Sequence, residues 1–147
     1  MNSILISKDY YQVTQVSILV FSETPTGNVL RMKRDPKTGE LEEFKVSIQK
    51  GQDFKKVFST LLQKLFNIEI IPSLVSPPLK KIISLSQKTA FLVWVVCIDP
   101  RFYSKTLKKD TQELSLKEFT ETDKLKSPVY ELKEKIIQLI QEKSEPF

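Results

Sequence analysis

The sequence predicts an α+β domain, built as an α/β/α sandwich: a mixed β-sheet with a helix on each face. Three observations carry that prediction. Apolar residues recur at helical spacing in two stretches, one starting at Phe54 and one at Val129. Elsewhere, short runs rich in β-branched residues are separated by Pro, Gly and polar turns. The order is strands, helix, more strands, helix, and helices with one apolar stripe need a sheet to cover.

Taken in order, residues 1–12 read as an N-terminal arm or short strand, 13–143 as a single domain and 144–147 as a tail. Val13–Phe21 is a strand buried on at least one face, Ser22–Asn28 a turn around Pro25 and Gly27, and Val29–Lys33 the returning strand of a hairpin. Arg34–Glu40 is a second turn and Leu41–Ile48 a further strand, ending at Gln49–Gly51. Asp53 then caps a helix whose apolar positions are Phe54, Val57, Phe58, Leu61, Leu62, Leu65 and Phe66. Asn67 stands where the helix must stop, the second choice after Gly for a left-handed cap.

Ile68–Ile71 resumes as strand and Pro72–Leu79 is loop. Lys80–Leu85 and Thr89–Ile98 form another hairpin, and the second, apolar on both faces, suits the centre of the sheet. Arg101–Thr111 is a basic loop and Glu113–Thr120 a short strand. Pro128 opens the closing helix, where its missing N–H costs nothing. Val129, Leu132, Ile136, Leu139 and Ile140 line the inner side of that helix.

Composition narrows the chemistry. The 147 residues carry 23 basic and 18 acidic side chains, a net charge of +5 with both signs mixed along the chain. A basic surface can meet nucleic acid, but lysine dominates over arginine, which favours general surface charge over bidentate phosphate recognition. There is no histidine, so Ser-His and Cys-His nucleophile systems and histidine-based zinc sites are excluded. The single cysteine, Cys97, lies in an apolar run, reads as a buried thiol and suits a reducing, intracellular setting. No apolar run approaches the roughly 20 residues of a membrane helix, so membrane insertion is not expected.

The stretch Phe44–Ile70, with its glycine turn, Asp53 cap, helix and Asn67 stop, resembles the Nudix motif, G-x5-E-x7-R-E-U-x-E-E-x-G-U with U aliphatic. The turn glycine falls on Gly51, the motif's aliphatic helix position on Leu62, and its terminal glycine on Asn67. The later segment Glu113–Leu125, with Phe119 at an aromatic place, and the helix after Pro128 also fit that family's layout. The resemblance implies a Nudix-like fold over most of residues 13–142.

The same resemblance implies a degenerate member. Lys45 is taken for the motif's first glycine and Lys50 for its first glutamate, with Gln52 beside the turn. The Arg-Glu pair is replaced by Thr60 and Leu61, and the metal-binding glutamates by Lys64 and Leu65. In the family those carboxylates hold Mg²⁺ or Mn²⁺ on a diphosphate, and hard cations need oxygen ligands. Leucine supplies none and lysine repels the ion. No metal, cofactor or catalytic residue is therefore expected.

Three uses of such a chain stay open. In the first, it is an inactive Nudix-fold subunit held in a larger assembly by protein contacts. The apolar arc of the motif helix is roughly 180° wide at 100° per residue, more than one buried face needs. Val57, Leu61 and Leu65 would then either fill the old cleft or present a partner surface. In the second, Arg31, Lys33, Arg34, Lys45, Lys50 and Lys64 converge as an anion site for a nucleotide or RNA, as in some inactive relatives. Aromatics for stacking would come from Tyr10, Tyr11, Phe102 and Tyr103. In the third, the chain is a hydrolase whose carboxylates have moved to Glu40, Glu42, Glu43, Glu113 or Glu118. Glu42 and Glu43 are adjacent, so on one strand they would face opposite ways. The first use is the expected one.

Overall fold

The computed structural model describes residues 3–67, 69, 77–101 and 111–142. Its strands are β1 (Ser3–Ile6), β2 (Asp9–Thr24), β3 (Gly27–Arg34), β4 (Leu41–Glu42), β5 (Phe44–Ser47), β6 (Leu79–Ser84), β7 (Thr89–Cys97) and β8 (Thr111–Ser115). Its helices are α1 (Phe54–Phe66), α2 (Leu116–Glu121) and α3 (Val129–Glu142). The class is α+β, as predicted. The chain divides into two compact units, Met1–Ile18 with Lys45–Trp94, and Leu19–Phe44 with Val95–Phe147. β2 and β7 contribute residues to both.

In the first unit β1 and β2 form an antiparallel hairpin, Ser3 opposite Gln12 and Ile6 opposite Asp9. Its turn residues Ser7 and Lys8 both have positive φ, the geometry whose twist suits a tight hairpin. β2 also neighbours β5 and β7, and β7 pairs antiparallel with β6. The β6 register slips between Ile82 and Ser84, and Ile83 is left exposed at the slip. Against this sheet α1 buries Phe54, Phe58, Leu62 and Phe66. Trp94 of β7 stacks on Phe58, ring centroids 4.2 Å apart and planes 17° from parallel, with Phe54 at 6.4 Å on the same indole.

Both ends of α1 follow from the sequence. Asp53 is extended, and its carboxylate accepts the Lys55 amide at 3.0 Å. At the other end Asn67 adopts the left-handed conformation, φ 53° and ψ 40°, and its N–H donates to the Gln63 carbonyl.

In the second unit the end of β2 pairs with β3, Val20 opposite Arg31 and Thr24 opposite Gly27. β3 also pairs antiparallel with β8 and, at Lys33 and Arg34, with β4. Leu41 makes a parallel bridge to Leu125, which makes the pairing mixed. Phe119 of α2 and Val129, Leu132, Ile136 and Ile140 of α3 are buried.

Several sequence expectations change. Leu41–Ile48 is not one strand: it breaks at Glu43 into β4 and β5. The turn at Ser22–Asn28 shrinks, because β2 runs to Thr24 and β3 starts at Gly27. Glu113–Thr120 is strand only as far as Ser115, where a capping box starts α2. The Glu118 amide donates to Ser115 Oγ at 3.1 Å, and the Ser115 amide to Glu118 Oε1 at 3.0 Å. Tyr10 and Tyr11, expected in an N-terminal arm or short strand, belong to the long β2, with Tyr11 buried. Ile68 and 70–71 of the expected strand, and Phe102 and Tyr103, lie outside the described residues.

A lysine clasp ties the segment after α2 to the turn before β4. Lys126 Nζ donates to Asp35 Oδ2 at 2.6 Å and lies 3.6 Å from Glu42 Oε2. Around it, the Leu41 amide donates to the Lys124 carbonyl and the Lys126 amide to the Leu41 carbonyl. The hydrogen bond from Lys126 holds the Asp35 carboxyl below the usual carboxylate range, and the bond to Asp35 raises the Lys126 ammonium above its ordinary value. The Asp35 contribution is therefore full above the unfolded pKa of about 4 and fades as acid titrates its lowered folded value. The Lys126 contribution is full below about pH 10.4 and fades as alkali passes its raised value. Thermal midpoints of wild type and Lys126→Met should differ across the neutral range and converge towards both extremes. A pH-independent difference would show that the clasp acts by packing alone.

Candidate functional site

The first unit holds an open groove of about 660 Å³ against α1 and the strand and turn that precede it. Its walls come from Lys45 and Val46 of β5, the Gly51–Asp53 turn, and Lys56, Val57, Thr60, Leu61 and Lys64 of α1. Helical spacing explains how one helix serves core and groove at once. Residues four apart form tilted rows on the helix surface. The row Phe54, Phe58, Leu62, Phe66 is buried, the row Val57, Leu61, Leu65 is half-buried, and the row Lys56, Thr60, Lys64 is exposed. Gly51 turns the chain into this wall at φ 86°, a conformation that favours glycine.

The groove is apolar at Val46, Val57 and Leu61 and cationic at Lys45, Lys56 and Lys64. Among the described residues its one acid is Asp53, whose oxygen already caps α1. A hard divalent cation needs several oxygen ligands, and this wall does not fit one. Among the described residues no group of three or more His, Cys, Asp or Glu could hold a metal ion.

The motif frame needs one adjustment. With Asn67 fixed as the helix-ending position, the motif spacing counts back to Val46 for the first glycine and Gln52 for the first glutamate, not Lys45 and Lys50. Gln52 is otherwise engaged, accepting the Gln49 amide at 2.7 Å within the turn. Lys50 is exposed but does not line the groove, whereas Lys45, Gly51, Thr60, Leu61 and Lys64 do. Leu65 is half-buried on α1 outside the lining, and Asn67 is the helix end.

Of the cations expected to converge, Arg31, Lys33 and Arg34 belong to the second unit. There Arg31 donates to Glu113 at 2.7 Å. Lysine 56 was not anticipated, although its place one turn before Thr60 and two before Lys64 is the signal that finds it.

The carboxylates considered as relocated catalysts have other surroundings. Glu113 pairs with Arg31, Glu118 completes the α2 cap, and Glu42 lies beside Lys126. Glu43 is fully buried between β4 and β5.

No family model and no curated protein sequence matches this chain. Solved structures do. A MutT/Nudix family protein from Listeria innocua aligns with a TM-score of 0.68 at 10% identity, covering 87% of this chain and 93% of its own. The Ap4A hydrolase of C. elegans aligns at 0.61 and 10% identity, over 87% and 98% of the two chains. The C-terminal domain of mouse MUTYH, solved in complex with human PCNA, aligns at 0.58 and 16% identity, over 90% and 92%. This is a Nudix-fold chain. Among the described residues no helix is long and apolar enough to cross a membrane.

Proposed function

We propose that this chain is a catalytically inactive Nudix-fold module that serves as a binding subunit of a larger protein assembly. One observation carries the reading: the groove at the motif helix is walled by Leu61 and Lys64, where the family's chemistry calls for carboxylates, with Lys45 and Lys56 beside them. A cationic, partly aliphatic wall suits holding a partner better than holding a metal on a diphosphate. The MUTYH domain, crystallised with PCNA, is a precedent for this fold in a protein complex.

The second reading, a nucleotide- or RNA-binding module, is favoured by the three lysines of the groove. Two measurements separate the readings. Purification of the tagged chain from its own cells is expected to yield a fixed set of proteins that survives nuclease treatment. Loss of that set on nuclease treatment would move the assignment to the second reading. Incubation with nucleoside diphosphate derivatives and Mg²⁺ or Mn²⁺ is expected to give no turnover. Turnover abolished by replacing Glu113 or Glu118 would establish a hydrolase instead.

A further inference from the structure

We infer that the groove takes an acidic peptide segment carrying one aliphatic anchor side chain. The inference rests on the binding-module reading and names the chemistry of its partner. Lys56 and Lys64 stand two turns apart on the exposed row of α1, and Lys45 stands on the β5 side. Between the rows, Val57 and Leu61 are half-buried, so each keeps apolar surface in contact with solvent. A ligand that matches this wall needs negative charge for the lysines and an apolar group for the aliphatic strip.

A phosphate ligand fits less well. Among the described residues no aromatic side chain lines the groove, so the described wall offers a base no stacking platform. Among the described residues no arginine lines it either, so the described wall offers no planar, bidentate phosphate recognition. Lysine ammonium groups are point charges that donate to single carboxylate oxygens at varied angles, which suits Glu and Asp on an extended segment. The aliphatic strip would then add an anchor that a sugar-phosphate chain cannot exploit. Asp53 adds one negative charge at the turn end, so acidic residues are expected to concentrate along the lysine row and away from that end.

The test uses the full chain and fluorescein-labelled peptides. The probe peptide carries Glu and Asp on both sides of one Leu; one control has Gln and Asn in place of the acids, and another has Ser in place of Leu. The acidic probe is expected to bind with an affinity that falls as salt rises. Lys56→Glu with Lys64→Glu should weaken it at least about tenfold, and the charge-neutral pair Lys56→Gln with Lys64→Gln should weaken it less but clearly. The Ser control peptide, and separately Leu61→Ser in the protein, should each bind several times more weakly than the parent pair. The uncharged peptide should show no binding. Both lysine variants change exposed positions, and unchanged far-ultraviolet circular dichroism will show that they fold.

Binding that is absent, or equal in the lysine variants, would overturn the inference. So would displacement of the peptide by oligouridylate or ADP at lower concentration than unlabelled peptide, which would make the groove a phosphate site. If the protein set recovered from cells stayed attached to the Lys56→Glu, Lys64→Glu variant, the module reading would stand and the groove assignment would fall. Metal-dependent turnover of a diphosphate would remove both.

Discussion

Phe58→Ala is expected to destabilise the protein by about 3–5 kcal/mol, the cost of deleting a fully buried aromatic ring from a packed core. Phe58 has no exposed surface and lies face to face with Trp94 at 4.2 Å, so its removal loses burial, leaves a cavity and ends the stack. Phe58→Leu keeps most of the volume and should cost clearly less. The single tryptophan of the chain reports on the event directly. Urea unfolding followed by its emission should give a lower midpoint for Phe58→Ala, with Phe58→Leu between it and wild type. A loss below about 1 kcal/mol for the alanine variant would mean that the α1 face does not pack as described.

Phe119→Ala should cost a similar ~3–5 kcal/mol, for a reason that tests a change of secondary structure. Phe119 is fully buried, and the α2 that carries it touches β3, β8 and α3. Were the chain still strand at this point, as its alternating pattern suggests, Ser115 and Glu118 would have no special partnership. In the structure they form both halves of a capping box. Ser115→Ala should therefore cost about 1 kcal/mol by itself. Glu118→Ala should remove the return bond to the Ser115 amide. If neither change moved the denaturation midpoint, the helical assignment of residues 116–121 would be wrong even were Phe119→Ala severe.

The parts of the fold that were legible are those where a local signal and burial agree. Asp53, the four buried positions of α1 and Asn67 specify that helix by cap, period and stop, and no distant residue has to be known. Val129, Leu132, Ile136 and Ile140 do the same for α3. The misread segments are those where two signals compete. In Glu113–Thr120 the alternation of Leu114 and Leu116 points to strand, while the Ser115-x-x-Glu118 spacing marks a helix start. At Glu43 nothing local announces that a strand breaks around a buried carboxylate.

The candidate site was legible only in outline. The positions of Lys64, Leu61 and Gly51 followed from the motif frame. Lys56 did not, because in the motif its place carries no chemistry. The convergence of Arg31, Lys33 and Arg34 with the motif lysines could not be judged from the sequence. Charge alone does not say which strand edge a residue will occupy, and these three sit on β3 of the other unit.

The row structure of α1 bears on how such a chain can change over time. The residues that specify the helix are Asp53, the buried row and Asn67; apart from Asp53, which does both, the helix residues that face the groove are a different set, Lys56, Val57, Thr60, Leu61 and Lys64. Asp53 aside, folding and groove chemistry therefore make separate demands on separate positions. Mutational drift in the groove set leaves the folding set untouched, so a lineage can exchange one ligand for another without passing through unfolded intermediates. An engineer has the same freedom: a library confined to Lys56, Thr60 and Lys64 would sample new binding chemistries on a helix whose shape is determined elsewhere.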